Sequence, residues 1–227
     1  MRIGHYLAWM FFAAVIGLTG CGNDPTTSDV TNPIGLVGAA LKARQDKRDG
    51  AAVDPAALAA LHTALEKAGQ PILLVVNGSL KFSALMAPYG SNGAVRTWGT
   101  EQYVTLSTRD DIVVATRGFG PDMMSSIAPS LSKIAAGQGT VRRRYYYLDG
   151  ADQTQAYNFD CAIASEGGDT IAVLGKSYVT SRIGESCVGP TGSFKNQYWF
   201  DNRHILRQSS QFLVPGVDNL VLQRVVD

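Results

Sequence analysis

Histidine, cysteine and net charge are all scarce in this sequence, and each scarcity narrows the chemistry. Three histidines, His5, His62 and His204, leave little material for a metal cage or an imidazole base. No Gly-x-Ser-x-Gly, His-Glu-x-x-His or Cys-x-x-Cys occurs, so nucleophile-elbow, zincin and thioredoxin-type chemistry have no signature here. Asp149, Asp160 and Asp201 are the carboxylates that a glycosidase reading would draw on. The 20 basic residues stand against 19 acidic ones, which argues against nucleic-acid binding, because that needs a basic face. No apolar run approaches the roughly 20 residues of a transmembrane helix. The 227 residues suffice for one domain with a substantial core.

What is present begins with a short apolar run over residues 7–17, with Arg2 ahead of it and small residues at its end. That is the layout of a secretory signal. It ends on Leu18-Thr19-Gly20-Cys21, which resembles the bacterial lipobox. The resemblance implies loss of residues 1–20, a diacylglycerol on the Cys21 sulfur and acylation of the new α-amine by a palmitate-type chain. One chain anchors only marginally at about 0.8 kcal/mol per buried methylene, so three would hold the protein on a membrane essentially permanently. Gly22 rather than aspartate follows the cysteine. By resemblance to the sorting rule of enteric-type bacteria, the destination is the periplasmic face of the outer membrane. The alternative is an ordinary secretory signal with a chance cysteine. With Cys21 lipidated, Cys161 and Cys187 are left as a candidate disulfide in an oxidising compartment. Closing a loop of about 25 residues would contribute roughly 3 kcal/mol; two buried thiols are the alternative.

Residues 21–32 read as a lipidated tether and 33–227 as a single β-rich domain. Ile34, Val37 and Leu41, trailed by Lys42, Arg44, Lys47 and Arg48, predict an amphipathic helix over 33–48. It would pack on the body or, alternatively, lie on the membrane surface. Asp54-Pro55 opens a second helix, with Leu58, Leu61 and Leu65 as its stripe and Gly69 as its stop. His62, read as lacking a ligand partner at i+4, is expected to be a surface or satisfied histidine. Short strands follow over 71–77, 80–89, 94–98, 102–108 and 112–117, with turns at Asn77-Gly78 and Gly90-Ser91-Asn92-Gly93. Pro121-Asp122 predicts a short helical piece with Met123, Met124 and Ile127 inward, and 130–136 adds a turn or two. Over 140–148, Arg143, Tyr145 and Tyr147 share one face and Arg142, Arg144, Tyr146 and Leu148 the other. This is expected to be an exposed strand guarded by its arginines; a sugar or an anionic polymer is the alternative use. Further strands cover 157–164, 170–174, 178–183, 194–201, 205–212 and 220–226. Turns are expected at Glu166-Gly167-Gly168-Asp169 and Asp201-Asn202-Arg203-His204, and a loop at 189–192. The fold class is therefore mainly β: an antiparallel meander curved into a barrel or half-barrel, with two N-terminal helices and a short helical insertion.

The late chain carries a spaced pattern: Asn196, Tyr198-Trp199, Asp201, then Arg207-Gln208-Ser209 and Gln211. It resembles the closing motif of the YjbF/GfcB family, the group 4 capsule polysaccharide lipoproteins. Trp98 with the Thr-rich strand after it, Val114-Ala115-Thr116-Arg117-Gly118 to Asp122, Cys161, Glu185-x-Cys187 and Pro215 also fit that family. The resemblance spans about residues 35–227 and includes the lipobox. One departure is His204, where a turn glycine is expected. The resemblance implies a non-catalytic accessory or scaffold in exopolysaccharide or capsule secretion or assembly. Its partners would be polysaccharide-export proteins, a β-barrel or a second lipoprotein, and the polysaccharide itself is a candidate contact; the charge balance argues against nucleic acid. It brings no catalytic residue, metal or cofactor beyond the lipid on Cys21. From the residues themselves, Asp201 and Arg207 are expected to pair across a hairpin and fix its register; lining a groove is their alternative role. Rival readings are a periplasmic lipid- or lipoprotein-carrying module and a polysaccharide-modifying enzyme.

Overall fold

The computed structural model describes residues 55–227. Leu18, Thr19, Gly20 and Cys21, the tether and the first expected helix lie outside them. The second helix is present as α1 (Pro55–Ala68). Leu65 is buried and Leu58 and Leu61 are half-buried against Ile72, Leu85, Val173 and Val225. Gly69 ends the helix with a left-handed φ of 67°, the conformation a C′ residue needs and glycine adopts without strain. His62 is buried on the same face. Its ring lies 3.2 Å from the Val173 carbonyl oxygen and 3.2 Å from Glu66, which does stand at i+4.

Twelve strands follow in a single antiparallel meander. They are β1 (Ile72–Asn77), β2 (Phe82–Asn92), β3 (Val95–Gly99), β4 (Thr105–Arg109), β5 (Ile112–Arg117), β6 (Ser125–Ile127), β7 (Gln138–Leu148), β8 (Thr154–Val173), β9 (Lys176–Gly189), β10 (Gly192–Asp201), β11 (Leu206–Gln211) and β12 (Leu220–Val226). The first and last strands pair, with Val75 opposite Leu222. The ring then runs from β5 back through β1, across to β12 and down to β6. β5 and β6 meet at the seam, where the Thr116 amide donates to the Met123 carbonyl at 2.9 Å and Ser126 Oγ to the Val113 carbonyl at 3.1 Å. The result is a nearly closed barrel, which leaves little unpaired strand edge.

Three local expectations are corrected. Residues 121–127 are not helical: Met123 is fully buried, the Met124 amide donates to Tyr146, and β6 pairs with β7. A helix would satisfy its own amides and leave the β7 edge open. The helical insertion lies further on as α2 (Leu131–Ala135), with the Ser130 side chain accepting from the Lys133 amide. Its Ile134 is fully buried against Ile163, Ile183, Tyr198 and Phe200, so it plugs that part of the barrel.

The expected turn at Glu166-Gly167-Gly168-Asp169 is a bulge within β8, where the register against β9 slips between Ser165 and Gly168. Gly167, at φ 88°, supplies a backbone that either device can use. Finally, β7 is not exposed on both faces. Arg143, Tyr145 and Tyr147 point into the core while Arg142 and Arg144 point out, and β6 and β8 flank the strand.

Met86, Trp98, Leu106, Met123, Leu213 and Leu220 fill the interior. Tyr145, Phe159, Phe194 and Phe212 form an aromatic cluster among them, mostly in edge-on or tilted contacts. Gly189 lets β9 close on this cluster, because a Cβ there would stand 2.4 Å from the Phe159 ring and 2.6 Å from the Asn158 carbonyl. Among the described residues, no helix is long and apolar enough to cross a membrane.

Candidate functional site

The inward face of β7, β9 and β10 holds a sealed polar centre. Arg143 makes a two-pronged contact with Glu185, Nε to Oε1 at 2.7 Å and Nη2 to Oε2 at 2.8 Å. Asn196 donates to the same carboxylate at 2.9 Å and Tyr198 Oη at 3.0 Å. Asn196 Oδ1 accepts the Phe212 amide at 2.8 Å, tying the centre to the end of β11. Arg143, Glu185, Asn196 and Tyr198 are all buried. Burial alone would push the Glu185 carboxyl up. The Arg143 charge and the hydrogen bonds from Arg143, Asn196 and Tyr198 outweigh it and hold the group below the ordinary carboxylate range. Burial raises the Tyr198 and Tyr145 phenols, so both stay protonated at neutral pH and Tyr198 can donate to Glu185.

Beside this centre Cys161 and Cys187 stand directly opposite one another on β8 and β9 and form the expected disulfide. Their sulfurs and a Glu185 oxygen lie within 4.8 Å of one another. The sulfurs are bonded to each other and so do not offer the thiolates that such a metal set uses.

The closing motif divides among three places. Gln211 is buried and reaches the seam: its Oε1 accepts the Val113 amide at 2.9 Å, while its Nε2 donates to the Asp111 carbonyl and to Ser209 Oγ, each at 2.9 Å. It thereby stands in for a missing strand beside β5. Asn196 and Tyr198 belong to the sealed centre. The other residues hold the β10–β11 hairpin and its surroundings. Arg207 Nε donates to Asp201 Oδ2 at 2.8 Å, and Asp201 Oδ1 accepts the Arg203 and Ile205 amides at 2.9 Å. Trp199 donates to Asp169 at 3.0 Å and Gln223 to Gln208 at 2.6 Å. The cross-hairpin Asp201–Arg207 pair expected from the sequence is thus formed. His204, in the place of a turn glycine, adopts a left-handed φ of 59°, so the turn keeps the backbone that glycine would favour.

Of the motif residues, Asp201 and Arg207 also border an open groove of about 720 Å³, together with Glu66, Lys176, Tyr178 and Arg203. Asn196, Tyr198 and Gln211 are buried away from solvent and serve the frame. Sequence reasoning placed Arg143 on its face but missed its partner Glu185. The available signal was the i, i+2 spacing of Ile183, Glu185 and Cys187, which puts the three on one inward face.

These features define a filled, nearly closed β-meander barrel whose buried polar residues secure its strands. Residues 48–225 match the family described as "Group 4 capsule polysaccharide lipoprotein gfcB, YjbF", so the chain belongs to the YjbF family. The crystal structure of the hypothetical lipoprotein YmcC from Escherichia coli (K12) has a similar fold. Its TM-score is 0.64 at 12% identity, covering 87% of this chain and 97% of that one. No curated protein matches the chain.

Proposed function

We propose that this chain is an outer-membrane lipoprotein, held through Cys21 on the periplasmic face, that acts as a non-catalytic accessory or scaffold in exopolysaccharide or capsule secretion. The family match over residues 48–225 carries the reading, because that family is tied to capsule polysaccharide. The state of the two buried acids, Glu185 and Asp201, supports a non-catalytic role. Glu185 is enclosed and fully hydrogen-bonded, and Asp201 has both oxygens occupied. Neither is placed to exchange a proton with a bound substrate. A lipid-carrying role gains no support from the barrel interior, which Met86, Trp98, Leu106, Met123, Leu213 and Leu220 fill. The partners are polysaccharide-export proteins at the same membrane, either a β-barrel or a second lipoprotein.

Cys21→Ala, exported by a signal that does not depend on lipidation, is expected to leave a folded protein free in the periplasm and to lower surface polysaccharide. Fractionation and a polysaccharide assay check both parts. Normal polysaccharide from a soluble, correctly exported variant would contradict the need for the anchor.

A further inference from the structure

The groove bordered by α1, the start of β9 and the β10–β11 turn has a composition that the frame does not require. Its volume, about 720 Å³, falls in the range of small-ligand sites, roughly 300–1,000 Å³. Tyr178 gives it an aromatic surface: the ring is half-buried, with the Arg207 guanidinium 4.7 Å from its centre and the Lys176 ammonium 5.6 Å away. Lys176, Arg203 and Arg207 face Glu66, Asp201 and Asp227, so opposite charges balance and the groove is not built to trap a free anion.

The carboxylates are largely occupied. Asp201 accepts from Arg207 and from two backbone amides, Asp227 accepts from Arg207 through both oxygens, and Glu66 Oε1 meets both His62 and Lys176. The cations keep capacity. The Arg203 side chain is 64% exposed, and its nearest carboxylate contacts are 3.8 Å and 3.5 Å, at or beyond the limit of a hydrogen bond. Lys176 is 47% exposed, with one of its three protons directed at Glu66. An aromatic plane beside unused donors, in a charge-balanced groove, suits a ligand with apolar ring faces and many oxygen acceptors.

We propose that this groove binds a short segment of polysaccharide, a sugar face resting on Tyr178 while hydroxyl and ring oxygens accept from Arg203 and Lys176. The choice of a saccharide rests on the role in polysaccharide secretion given above. The residues also separate the jobs of the closing motif: Asp201 and Arg207 form the floor, and the binding surface is supplied by Tyr178, Lys176 and Arg203.

The test uses the mature chain carrying Cys21→Ala and, as probe, oligosaccharides of about four to eight units, long enough to span such a groove, from partial hydrolysis of the producing strain's surface polysaccharide. Calorimetry and NMR titration are expected to give saturable binding with shifts confined to the groove. Tyr178→Ala and Arg203→Ala should each weaken it by about tenfold, the effect of losing an aromatic or charged contact, while Val188→Ser, elsewhere on β9, leaves it unchanged. Arg203 is exposed, so its variant keeps the test valid if Tyr178→Ala fails to fold. No saturable binding, or equal binding by wild type and both groove variants, overturns the proposal. If deleting the gene lowers surface polysaccharide yet the oligosaccharides do not bind, the groove proposal fails and the secretory role stands. If they bind in the groove but deletion leaves the polysaccharide unchanged, the secretory role fails and the groove proposal stands.

Discussion

Glu185→Ala is expected to destabilise the domain by about 3–5 kcal/mol, because it leaves the Arg143 guanidinium buried without its counter-charge. The contacts that hold this pair are short, and they come from β7, β9 and β10 together. A single truncation therefore loosens three strands at once. The double variant Arg143→Leu/Glu185→Leu should lose much less, since a buried pair replaced by apolar groups of similar size is often near neutral. Urea denaturation of the wild type, Glu185→Ala, both single leucine variants and the double variant measures the loss and the coupling. A loss under 1 kcal/mol for Glu185→Ala would show that water or a neighbour compensates the arginine.

The same group sets an acid limb. Its folded carboxyl titrates below the ordinary range, so the stability it contributes is fully present above about pH 4.3, the ordinary glutamate value. That contribution is lost as pH falls through the folded value. Variants lacking Glu185 should show a shallower acid limb in stability against pH.

Removing the Cys161–Cys187 bridge by paired Cys→Ala substitution is the second large effect, an expected loss of about 2–4 kcal/mol. The two residues are 26 apart in sequence, and the bridge sits in the buried cluster with Tyr145 and Phe159. Thermal melting with and without reductant measures the change. Thiol counting supplies the independent check: oxidised, denatured protein carrying Cys21→Ala should show no free thiol before reduction. Two free thiols there would remove the bridge from the account. Because pairing of β8 with β9 continues on both sides of the bridge, the reduced protein should still fold, at lower stability.

Much of the frame was legible in the amino-acid order because its signals are local. Asp54-Pro55 and Gly69 bracket a helix through backbone preferences that act within a turn. β5 and β12 were readable as short apolar runs bounded by turns, and their observed bounds are Ile112–Arg117 and Leu220–Val226. Arg143 and Arg142 fell on opposite faces because a strand alternates. Asp201 and Arg207 paired because a hairpin brings residues on either side of its turn together. The lipobox is equally local, and its reading rests on sequence.

Other features depended on contacts between distant segments. Gly167-Gly168 permits either a turn or a bulge, and continued pairing with β9 selects the bulge. Residues 121–127 carry helical spacing, but the open edge of β7 needs backbone donors and draws them into a strand. Gln211 looked like one polar residue of a motif. Closure of the ring brings it to the amide of Val113, 98 residues earlier. The sequence by itself determined the β class and the Asp201–Arg207 hairpin pair, because each follows from spacing along the chain; it left the Cys161–Cys187 bridge beside the alternative of two buried thiols. Only the tertiary structure decided that Glu185 would be the counter-charge of Arg143 and that Tyr178, Lys176 and Arg203 would share a groove. Those meetings are set by barrel closure and register, which no stretch of sequence specifies alone.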